Sequence, residues 1–600
     1  MTYQTFEHDV IVIGAGGAGL RAAIEAAVQG ASVGIVCKSL LGKAHTVMAE
    51  GGVAAAMGNV DLRDNWQVHF RDTMRGGKMM NNWRMAQIHA QESPARVNEL
   101  EAWGAVFDRT KDGKILQRNF GGHRFPRLAH VGDRTGLEII RTLQDHAIHK
   151  KNLEVYMECT ITHLLKEGNQ ICGAFGYRRT TGEFLFFKTK AVILATGGIG
   201  KSFRINSNSW EYTGDGQALA YKAGADLIDM EFVQFHPTGM VWPLSVKGTL
   251  VTEGVRGEGG ILKNSKGERF MFRYVPDMFK GEFAETEDEA KRWLAGDKSS
   301  RRPPELLTRD VVAKAITAEV KAGRGSPHGG VFLDIASQRD AETIKKKLPS
   351  MYHQFKELAN VDITKEPMEI GPTCHYIMGG IRVDAETAAA TVPGLYAAGE
   401  SAAGLHGANR LGGNSLSDLL VFGRRAGLAA AQYSKDHGQR TMDHGPKAQQ
   451  IEECEKQLLK PFEQRNGENP YAVMEELQKV MEANVGIVRE EKELQKALDH
   501  LAQLKIRAKN VKADGDRTYN PGWQTCLDLE NMLIVSEAIT RGALERKESR
   551  GGHTRIDYPE SSAEEAQSNN IIRKKGDAMQ VTREPLPKMP PDLEALILSS

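Results

Sequence analysis

The first thirty residues of this 600-residue chain constrain its fold more than any other segment. Residues 8–13, His-Asp-Val-Ile-Val-Ile, are mostly apolar and β-branched, which is typical of a strand buried on both faces of a parallel sheet. They run directly into the hexapeptide GAGGAG at 14–19 and then into an alanine-rich segment, 20–29, that predicts a helix. Glycines at this spacing let backbone N–H groups approach a pyrophosphate at the positive end of the helix. The N-terminus therefore predicts a Rossmann-like, dinucleotide-binding α/β domain.

The end of the second predicted strand, 31–37, departs from the usual dinucleotide pattern. Many such folds place an acidic residue there to bind the ribose, but this chain has Lys38 and Ser39, which disfavours a simple NAD site. Two later apolar segments, 191–195 and 392–400, are typical of further strands of the same sheet. Their positions in the chain predict a cofactor domain interrupted by an inserted domain.

Charge, cysteine content and hydropathy exclude several classes of protein. A net charge of +1 gives no electrostatic basis for nucleic-acid binding. The six cysteines form no C-x-x-C pair, which argues against zinc or an iron–sulfur cluster bound by this chain, so no metal site is expected. No apolar run approaches the roughly 18 residues of a membrane span, and a first strand starting near Asp9 leaves no room for a signal or transit peptide. We therefore expect a cytosol-facing enzyme of several domains that meets a membrane only through a partner.

The composition and periodicity of the sequence change twice after the N-terminal cofactor motif. Residues 285–302 are strongly charged and precede two prolines, which predicts an exposed insertion. From about 447 the pattern becomes helical, and leucines at helical spacing predict a packed bundle. These leucines are Leu494, Leu498, Leu501 and Leu504. The polar and then proline-rich segment after 560 is expected to wrap over the surface or meet a partner.

Several segments combine histidine or arginine with glycine. They are AHTVMAEGG at 44–52, QFHPTG at 234–239, LVTEGVRGEGG at 250–260, PTCHY at 372–376 and HGANRLGGNS at 406–415. A further arginine, Arg309, opens a predicted helix. Arginines can clamp carboxylates through two parallel hydrogen bonds, and histidines can also bind them. A group rich in both residue types favours a small dianionic substrate.

Two further segments are TGDG at 213–216 and SRGGHTR at 549–555. In their order and spacing, all these segments resemble those of the flavoprotein subunits of succinate dehydrogenases and fumarate reductases. The resemblance covers this chain from about residue 7 to 560. The resemblance implies a Rossmann-like FAD-binding domain at 1–237 and 364–436, split by an inserted α+β capping domain at 238–363. A helical domain at 437–560 and a C-terminal tail at 561–600 would follow.

The resemblance also implies a role for each matching residue, beginning with a covalent bond between His45 and FAD. The residues expected to line the FAD are Gly14, Ala15, Gly16, Gly17, Ala18, Gly19, Lys38, Ser39, His45, Thr46, Ala49, Glu50, Gly51, Gly52, Ala195, Thr196, Gly197, Asp215, Glu400, Ser415 and Leu416. Those expected to hold a C4 dicarboxylate are His236, Thr252, His375 and Arg410, with Phe107 packing beside it. In one reading, Arg309 would exchange a proton with the substrate carbon, and Glu253 and Arg256 would relay that proton to solvent. In the other, Arg309 would only orient the substrate and stabilise developing charge.

The implied activity is interconversion of succinate and fumarate by hydride transfer to FAD. Electrons would pass to a separate iron–sulfur subunit, then to a cytochrome b type membrane anchor and the quinone pool, at the cytoplasmic side of a bacterial inner membrane. Succinate oxidation is the main prediction and quinol:fumarate reduction the alternative. Succinate dehydrogenases commonly have Gln at the position of Glu50. A carboxylate there would lower the flavin potential, which weakly favours fumarate reduction. Ala44 and the charged insertion before Arg309 mark a divergent branch of the family.

Three other readings remain open on the sequence. A soluble enzyme resembling L-aspartate oxidase would hold FAD without the covalent histidine. A flavin-dependent RNA-modifying protein would need a basic surface, which the balanced charge disfavours. A non-catalytic FAD-binding module would have no need of the histidines and arginines named above.

Overall fold

The computed structural model describes residues 3–297, 299–437 and 448–598. Its main sheet is built around the N-terminal strand Tyr3–Ile13, which begins earlier than the sequence predicted. This strand pairs in parallel with Val33–Val36 on one side and with Phe184–Leu194 on the other. The helix Gly17–Val28 follows the glycine loop and packs against the long helix Asn414–Asp436. The predicted Rossmann-like core is therefore confirmed.

The main sheet presents the ends of several parallel strands along one edge. Leu153–Tyr156 pairs in parallel with Val33–Val36, and Leu395–Ala397 pairs in parallel with Phe184–Leu194. Two antiparallel strands, Cys159–Glu167 and Gln170–Arg178, extend the far side. In open α/β sheets ligands bind outside the carboxyl ends of the strands. Here those ends deliver the glycine loop, Lys38, the 195–197 turn and Glu400 to one edge.

The cap is a smaller antiparallel sheet with helices packed on it. Its strand order is Val233–Met240, Met368–Ile377, Val331–Asp334 and Ile261–Lys263. The first two strands join the cap to the FAD-binding domain: Val233–Met240 crosses the boundary predicted at 237/238, and Met368–Ile377 begins shortly after the boundary predicted at 363/364. They pair with His236 opposite Thr373 and Phe235 opposite Cys374, so both strand-borne histidines, His236 and His375, lie where the two domains meet.

The C-terminal region is helical and then forms a hairpin. Its helices are Ala448–Glu463, Pro470–Asn484, Glu491–Ala508 and Pro521–Glu545. Leu494, Leu501 and Leu504 are buried as predicted, whereas Leu498 is half-buried and Ala497 takes the core position.

The segment predicted as a tail is folded. Its strands Ser568–Lys575 and Ala578–Pro585 pair with each other, and the first also pairs with Leu227–Ile228. The polar composition that suggested a tail reflects an outer strand whose side chains are largely exposed. The helix Pro591–Leu598 ends the described chain.

The other elements are short or connect these layers. The remaining helices are Trp66–Gly76, Trp83–Ala102, Thr135–Ile148, Asp215–Ala223, Gly254–Gly257, Glu287–Leu294, Arg309–Glu319, Ala341–Lys347 and Pro349–Ala359. The remaining strands are Val53–Ala54, Gln117–Arg118, Leu128–Ala129, Gly380–Arg382 and Ala402–Ala403. Short 3₁₀ or π turns cover His45–Met48, Gly200–Ser202, Leu244–Val246, Met271–Tyr274, Asp277–Phe279, Pro304–Leu306, Val320–Arg324, Gly399–Ser401 and Glu565–Gln567. Across the described ranges, no helix has the length and apolar character needed to cross a bilayer.

Candidate active site

A cleft of about 1540 Å³, including the solvent at its open side, runs from the edge of the parallel sheet to the underside of the cap. The residues predicted to bind FAD that line it are Gly14, Ala15, Gly16, Gly17, Ala18, Lys38, Ser39, His45, Thr46, Ala49, Glu50, Gly51, Gly52, Ala195, Thr196, Gly197, Asp215, Glu400, Ser415 and Leu416. Gly19 does not line it. A Cβ on Gly19 would lie 1.9 Å from the carbonyl oxygen of Gly14, so this glycine lets the helix pack closely against the strand.

The glycine loop forms a cradle that fits the diphosphate of FAD. Gly14 has a φ of +107°, and a Cβ there would lie 2.3 Å from the carbonyl oxygen of Ala195. The helix Gly17–Val28 begins at the cleft, and the first backbone N–H groups of a helix favour an anion. The backbone N–H of Gly17 donates to Thr46 Oγ1 at 3.3 Å, which ties the loop around His45 to this cradle.

An acidic residue from a distant part of the chain reaches the end of the cleft beside Lys38 and Ser39, the ribose end, which would receive the ribose of FAD. The Ser39 hydroxyl donates to Glu211 Oε1 at 2.6 Å, and Glu211 lines the cleft. The sequence argument missed Glu211, although it stands two residues before the TGDG segment that the argument used. The departure at Lys38 and Ser39 is thus accompanied by carboxylates brought in by other elements.

His45 is held as a neutral imidazole at the cap end of the cleft, with 6.4 Å between the centroids of its ring and the His375 ring. Its ring meets the Tyr212 ring edge-on at 4.8 Å between centroids, and Asn208 Nδ2 donates to its Nε2 at 3.3 Å. Burial, with the charges of Lys201 and Arg410 nearby, lowers the pKa of His45 to about 4. Its Nδ1 is buried without a hydrogen-bond partner in the described part of the chain. A neutral imidazole is the form that can act as a nucleophile.

Glu50 carries an unusual carboxyl group. Burial, and then the charge of Asp133, raise its pKa well above the usual value, with Arg118 partly opposing them. Arg118 donates to the backbone carbonyls of Glu50 and Gly51, both at 2.7 Å, and not to the carboxyl group. The negative charge assumed in the sequence argument is therefore disfavoured by the structure.

The cap end of the cleft combines neutral histidines with arginines. The rings of His236 and His375 lie 5.1 Å apart, and burial followed by the charge of Arg309 lowers the pKa of both well below its usual value. Arg410 donates to Ser415 Oγ at 2.8 Å and lies 4.3 Å over the Tyr376 ring. Burial and Arg309 lower the pKa of Arg410 to about 9, which leaves it charged at neutral pH. Thr252 lines the same end, so neutral donors and cations face a space that suits two carboxylates.

A row of charged side chains, joined first by a hydrogen bond and then by an ion pair, leads away from this end of the cleft. Arg309 Nε donates to Glu253 Oε2 at 2.9 Å and Arg309 Nη1 donates to Gln234 Oε1 at 3.2 Å. Arg256 Nη2 lies 3.7 Å from the same Glu253 oxygen, and Arg256 does not line the cleft. Burial would raise the pKa of Glu253, but Arg256 and Arg309 lower it overall, so its carboxylate is charged. The order Arg309, Glu253, Arg256 is the one that the sequence argument proposed for a proton relay.

Phe107, which was expected to pack beside the substrate, does not line the cleft. Phe107 is 2% exposed and belongs to the core cluster that includes Ile115 and Ala129, because the chain alternates there and it is Val106, 70% exposed, that faces outward. A different phenylalanine, Phe120, lines the cleft. It stands before two glycines in NFGGH, a glycine-rich signal that makes it a candidate without showing which way its ring faces.

Phe120 explains two glycines of the predicted motifs. A Cβ on Gly51 would lie 2.6 Å from its ring, and a Cβ on Gly412 would lie 2.4 Å from it and 3.2 Å from Arg309 Nη2. Other residues that the sequence argument missed around the cleft are Asn208, Tyr212, Leu250 and Tyr376. The described residues contain no group of three or more His, Cys, Asp or Glu placed to hold a metal ion.

Two protein families match most of the chain. The family described as FAD binding domain matches residues 9–416, and the family described as Fumarate reductase flavoprotein C-term matches residues 474–592. The first match covers the N-terminal part of the split cofactor domain, the cap, and the second part of the cofactor domain as far as the start of the helix Asn414–Asp436. The second covers most of the C-terminal helices and the hairpin.

Individual relatives align over nearly the full length. A fumarate reductase (CoM/CoB) subunit of Methanothermobacter marburgensis is 44% identical over 575 residues, which cover 96% of this chain and 98% of the relative. The solved structure of Mycobacterium smegmatis Sdh1 in complex with UQ1 is 58% identical, with a TM-score of 0.85, over 98% of this chain and 96% of that one. A variant of FrdA from the E. coli quinol fumarate reductase is 33% identical, with a TM-score of 0.90, over 98% of each chain.

Proposed function

The chain belongs to the family of succinate dehydrogenase and fumarate reductase flavoprotein subunits, and we propose that it oxidises succinate to fumarate on an FAD bound covalently to His45. As a member of this family it is an FAD-dependent oxidoreductase. One observation carries the proposal. His45, the neutral pair His236 and His375, and the arginines Arg309 and Arg410 converge at one end of a single cleft.

The cap end of the cleft would hold a C4 dicarboxylate at both of its ends. Arg410 and His375 would bind one carboxylate, and His236 and Thr252 the other. Holding both ends fixes the orientation of the carbon–carbon bond, which contributes much of the rate enhancement of such reactions. When bound beside them, the flavin supplies the hydride acceptor.

Arg309 is the group best placed to manage the substrate proton. Two of its nitrogens are engaged by Glu253 and Gln234, and its Nη2 lies near Gly412 at the edge of the cleft. Glu253 would accept a proton from Arg309 and pass it toward Arg256, which lies behind the cleft. Arg309 would also stabilise the negative charge that develops on the substrate carbon. Both roles place Arg309 at the reacting atoms.

The environment of His45 supports a covalent bond to the flavin. The lowered pKa keeps the imidazole neutral at physiological pH. The amide of Asn208 donates both to His45 Nε2 and to the backbone carbonyl of His375, at 3.3 and 3.0 Å, so the two histidines are positioned together. A rigidly placed, neutral imidazole is what bond formation to a carbon of the cofactor requires.

Partner subunits would carry the electrons away. We propose two kinds of partner, a separate iron–sulfur protein and a cytochrome b type membrane anchor that exchanges electrons with the quinone pool, at the cytoplasmic side of a bacterial inner membrane. The similarity to Sdh1, solved with UQ1, and to FrdA of a quinol fumarate reductase supports this arrangement. The reverse reaction is the second candidate. The relative named as a fumarate reductase (CoM/CoB) favours it, whereas the disfavoured charge on Glu50 weakens the sequence argument for it.

The covalent bond can be tested directly. The purified protein is precipitated in acid, washed and examined for flavin fluorescence in the unfolded chain. Retained flavin that is lost in His45→Ser would support the proposal. Release of all flavin into the supernatant would contradict it and favour the alternative that resembles L-aspartate oxidase. The rates of succinate oxidation and fumarate reduction with artificial dyes would then establish the preferred direction.

A further inference from the structure

Lys38 connects the C-terminal helical region to the ribose end of the FAD cleft. Its ammonium group donates to Thr213 Oγ1 and to Asp215 Oδ2, both at 3.0 Å, and to Asp528 Oδ1 at 2.6 Å. Lys38 and Asp215 line the cleft. Asp528 lies behind them on the helix Pro521–Glu545, 490 residues after Lys38 in the sequence.

One ammonium group is thus shared by two buried carboxylates. The side chains of Lys38, Asp215 and Asp528 are 10%, 9% and 11% exposed. Although burial disfavours its charge, the two carboxylates raise the pKa of Lys38 above the usual value, so it remains an ammonium. Burial raises the pKa of Asp528 to about 6, so at neutral pH its carboxylate is mostly ionised and the cluster has more carboxylates than ammonium groups. The cluster stands where most dinucleotide-binding folds place a single acidic residue.

The same helix also holds Asp215 from a second direction. Asn531 Nδ2 donates to Asp215 Oδ1 at 3.0 Å. Val535 covers Gly214, since a Cβ on that glycine would lie 2.8 Å from the Val535 methyl groups. Residues 528, 531 and 535 recur at helical spacing and form one face of the helix. This face is built against the segment that lines the cleft.

We infer that Asp528 is a positioning residue for the ribose end of the FAD site, acting through Lys38. By sharing the ammonium group, Asp528 leaves the carboxylate of Asp215 incompletely neutralised and able to accept hydrogen bonds from the ribose hydroxyls of FAD. Docking of the helix Pro521–Glu545 and binding of FAD then stabilise each other, because each favours the same arrangement of Lys38. The inference rests on FAD binding alone and holds for either direction of the proposed reaction.

The test measures FAD affinity rather than turnover. In a His45→Ser background the cofactor exchanges freely, and its dissociation constant is measured from the change in flavin fluorescence on binding. Asp528→Asn should weaken FAD binding about tenfold or more, the loss typical of one charged hydrogen bond. Glu545→Gln, at an exposed residue of the same helix, is the matched control and should leave the affinity unchanged.

A double-mutant cycle separates positioning from a general structural role. If Asp528 acts through Lys38, Asp528→Asn should have little further effect in a Lys38→Gln background. Equal loss of affinity in both backgrounds, or no loss in either, would overturn the inference. If Asp528→Asn fails to fold, Asp528→Glu serves as the second variant, because it keeps the carboxylate. Its affinity for FAD should lie within a few fold of that of the unaltered chain. Tenfold weaker FAD binding by folded Asp528→Glu would also overturn the inference. Failure of the covalent proposal would appear separately, as FAD released in acid from the chain with His45 intact.

Discussion

Replacing Arg309 with lysine tests the centre of the proposed mechanism. Two different nitrogens of Arg309 donate to Glu253 at 2.9 Å and to Gln234 at 3.2 Å. Lysine keeps the positive charge, but its single nitrogen cannot make both contacts and still face the substrate. We expect Arg309→Lys to fold and to keep its FAD, since Arg309 lies at the cap end of the cleft and not at the glycine cradle.

The size of the loss distinguishes the two roles left open for Arg309. Removal of one preorganised donor to a developing charge lowers kcat by roughly 10²–10³. Removal of a general acid or base lowers it by a further factor of roughly 10²–10⁴. A loss near 10³ would therefore fit charge stabilisation alone, and a loss of about 10⁴ or more, about 5 kcal/mol, would fit proton transfer as well.

The assay follows the bleaching of the flavin absorbance when succinate is added in a single turnover, with FAD content measured on the same samples. Arg324→Lys is the control, because Arg324 lies on the same cap and pairs with Glu319 away from the cleft. It should react as the unaltered protein does. A rate for Arg309→Lys within about threefold of that control would remove Arg309 from the mechanism.

Three further predictions concern charge, stability and packing. Because the pKa of Glu50 is raised in the folded protein, its carboxyl group loses its proton only at higher pH, and the resulting charge lowers the flavin potential. In potentiometric titrations the flavin potentials of Glu50→Gln and of the unaltered protein should agree at acidic pH and diverge as the pH rises. A difference that stays constant with pH would contradict this argument. Arg546 is buried against the carboxylates of Asp229, Glu231 and Glu548, so Arg546→Met should lower the free energy of unfolding by about 3–5 kcal/mol in denaturant titrations, and an unchanged midpoint would refute the argument. Phe107→Ala should lower the free energy of unfolding by about 3–5 kcal/mol and leave the KM for succinate unchanged. Phe120→Ala should raise the KM for succinate. The opposite pattern would place Phe107 in the site.

Local chemistry explains what could be predicted from the sequence. The glycine loop, the loop around His45 and the helix opening at Arg309 are each specified by neighbours a few residues away, and all three lie as predicted. Phe107 and Phe120 could not be separated in this way, because which aromatic faces the cleft depends on how a loop packs against the cap. Asp528 carried no signal at all. Its role depends on a contact with Lys38 across most of the chain.

The C-terminal hairpin was missed for the same reason. Its composition is polar because one strand faces solvent, and only its pairing with Leu227–Ile228 identifies it as part of a sheet. Leu227–Ile228, the strand that the hairpin pairs with, has only two residues and so shows too little pattern to be predicted from periodicity. Long-range pairing therefore decides elements that local composition leaves ambiguous.

That hairpin also constrains how the protein is made. Asp226 forms an ion pair with Arg573, which lies 347 residues further along the chain. At a synthesis rate of roughly 5–20 residues per second, the segment around Asp226 waits about 17–70 s before its partner has been translated. During that interval the strand edge at Leu227–Ile228 is unpaired, and exposed edges of this kind invite pairing with other chains. The nascent protein therefore depends on its C-terminal hairpin to close a surface that its first half creates.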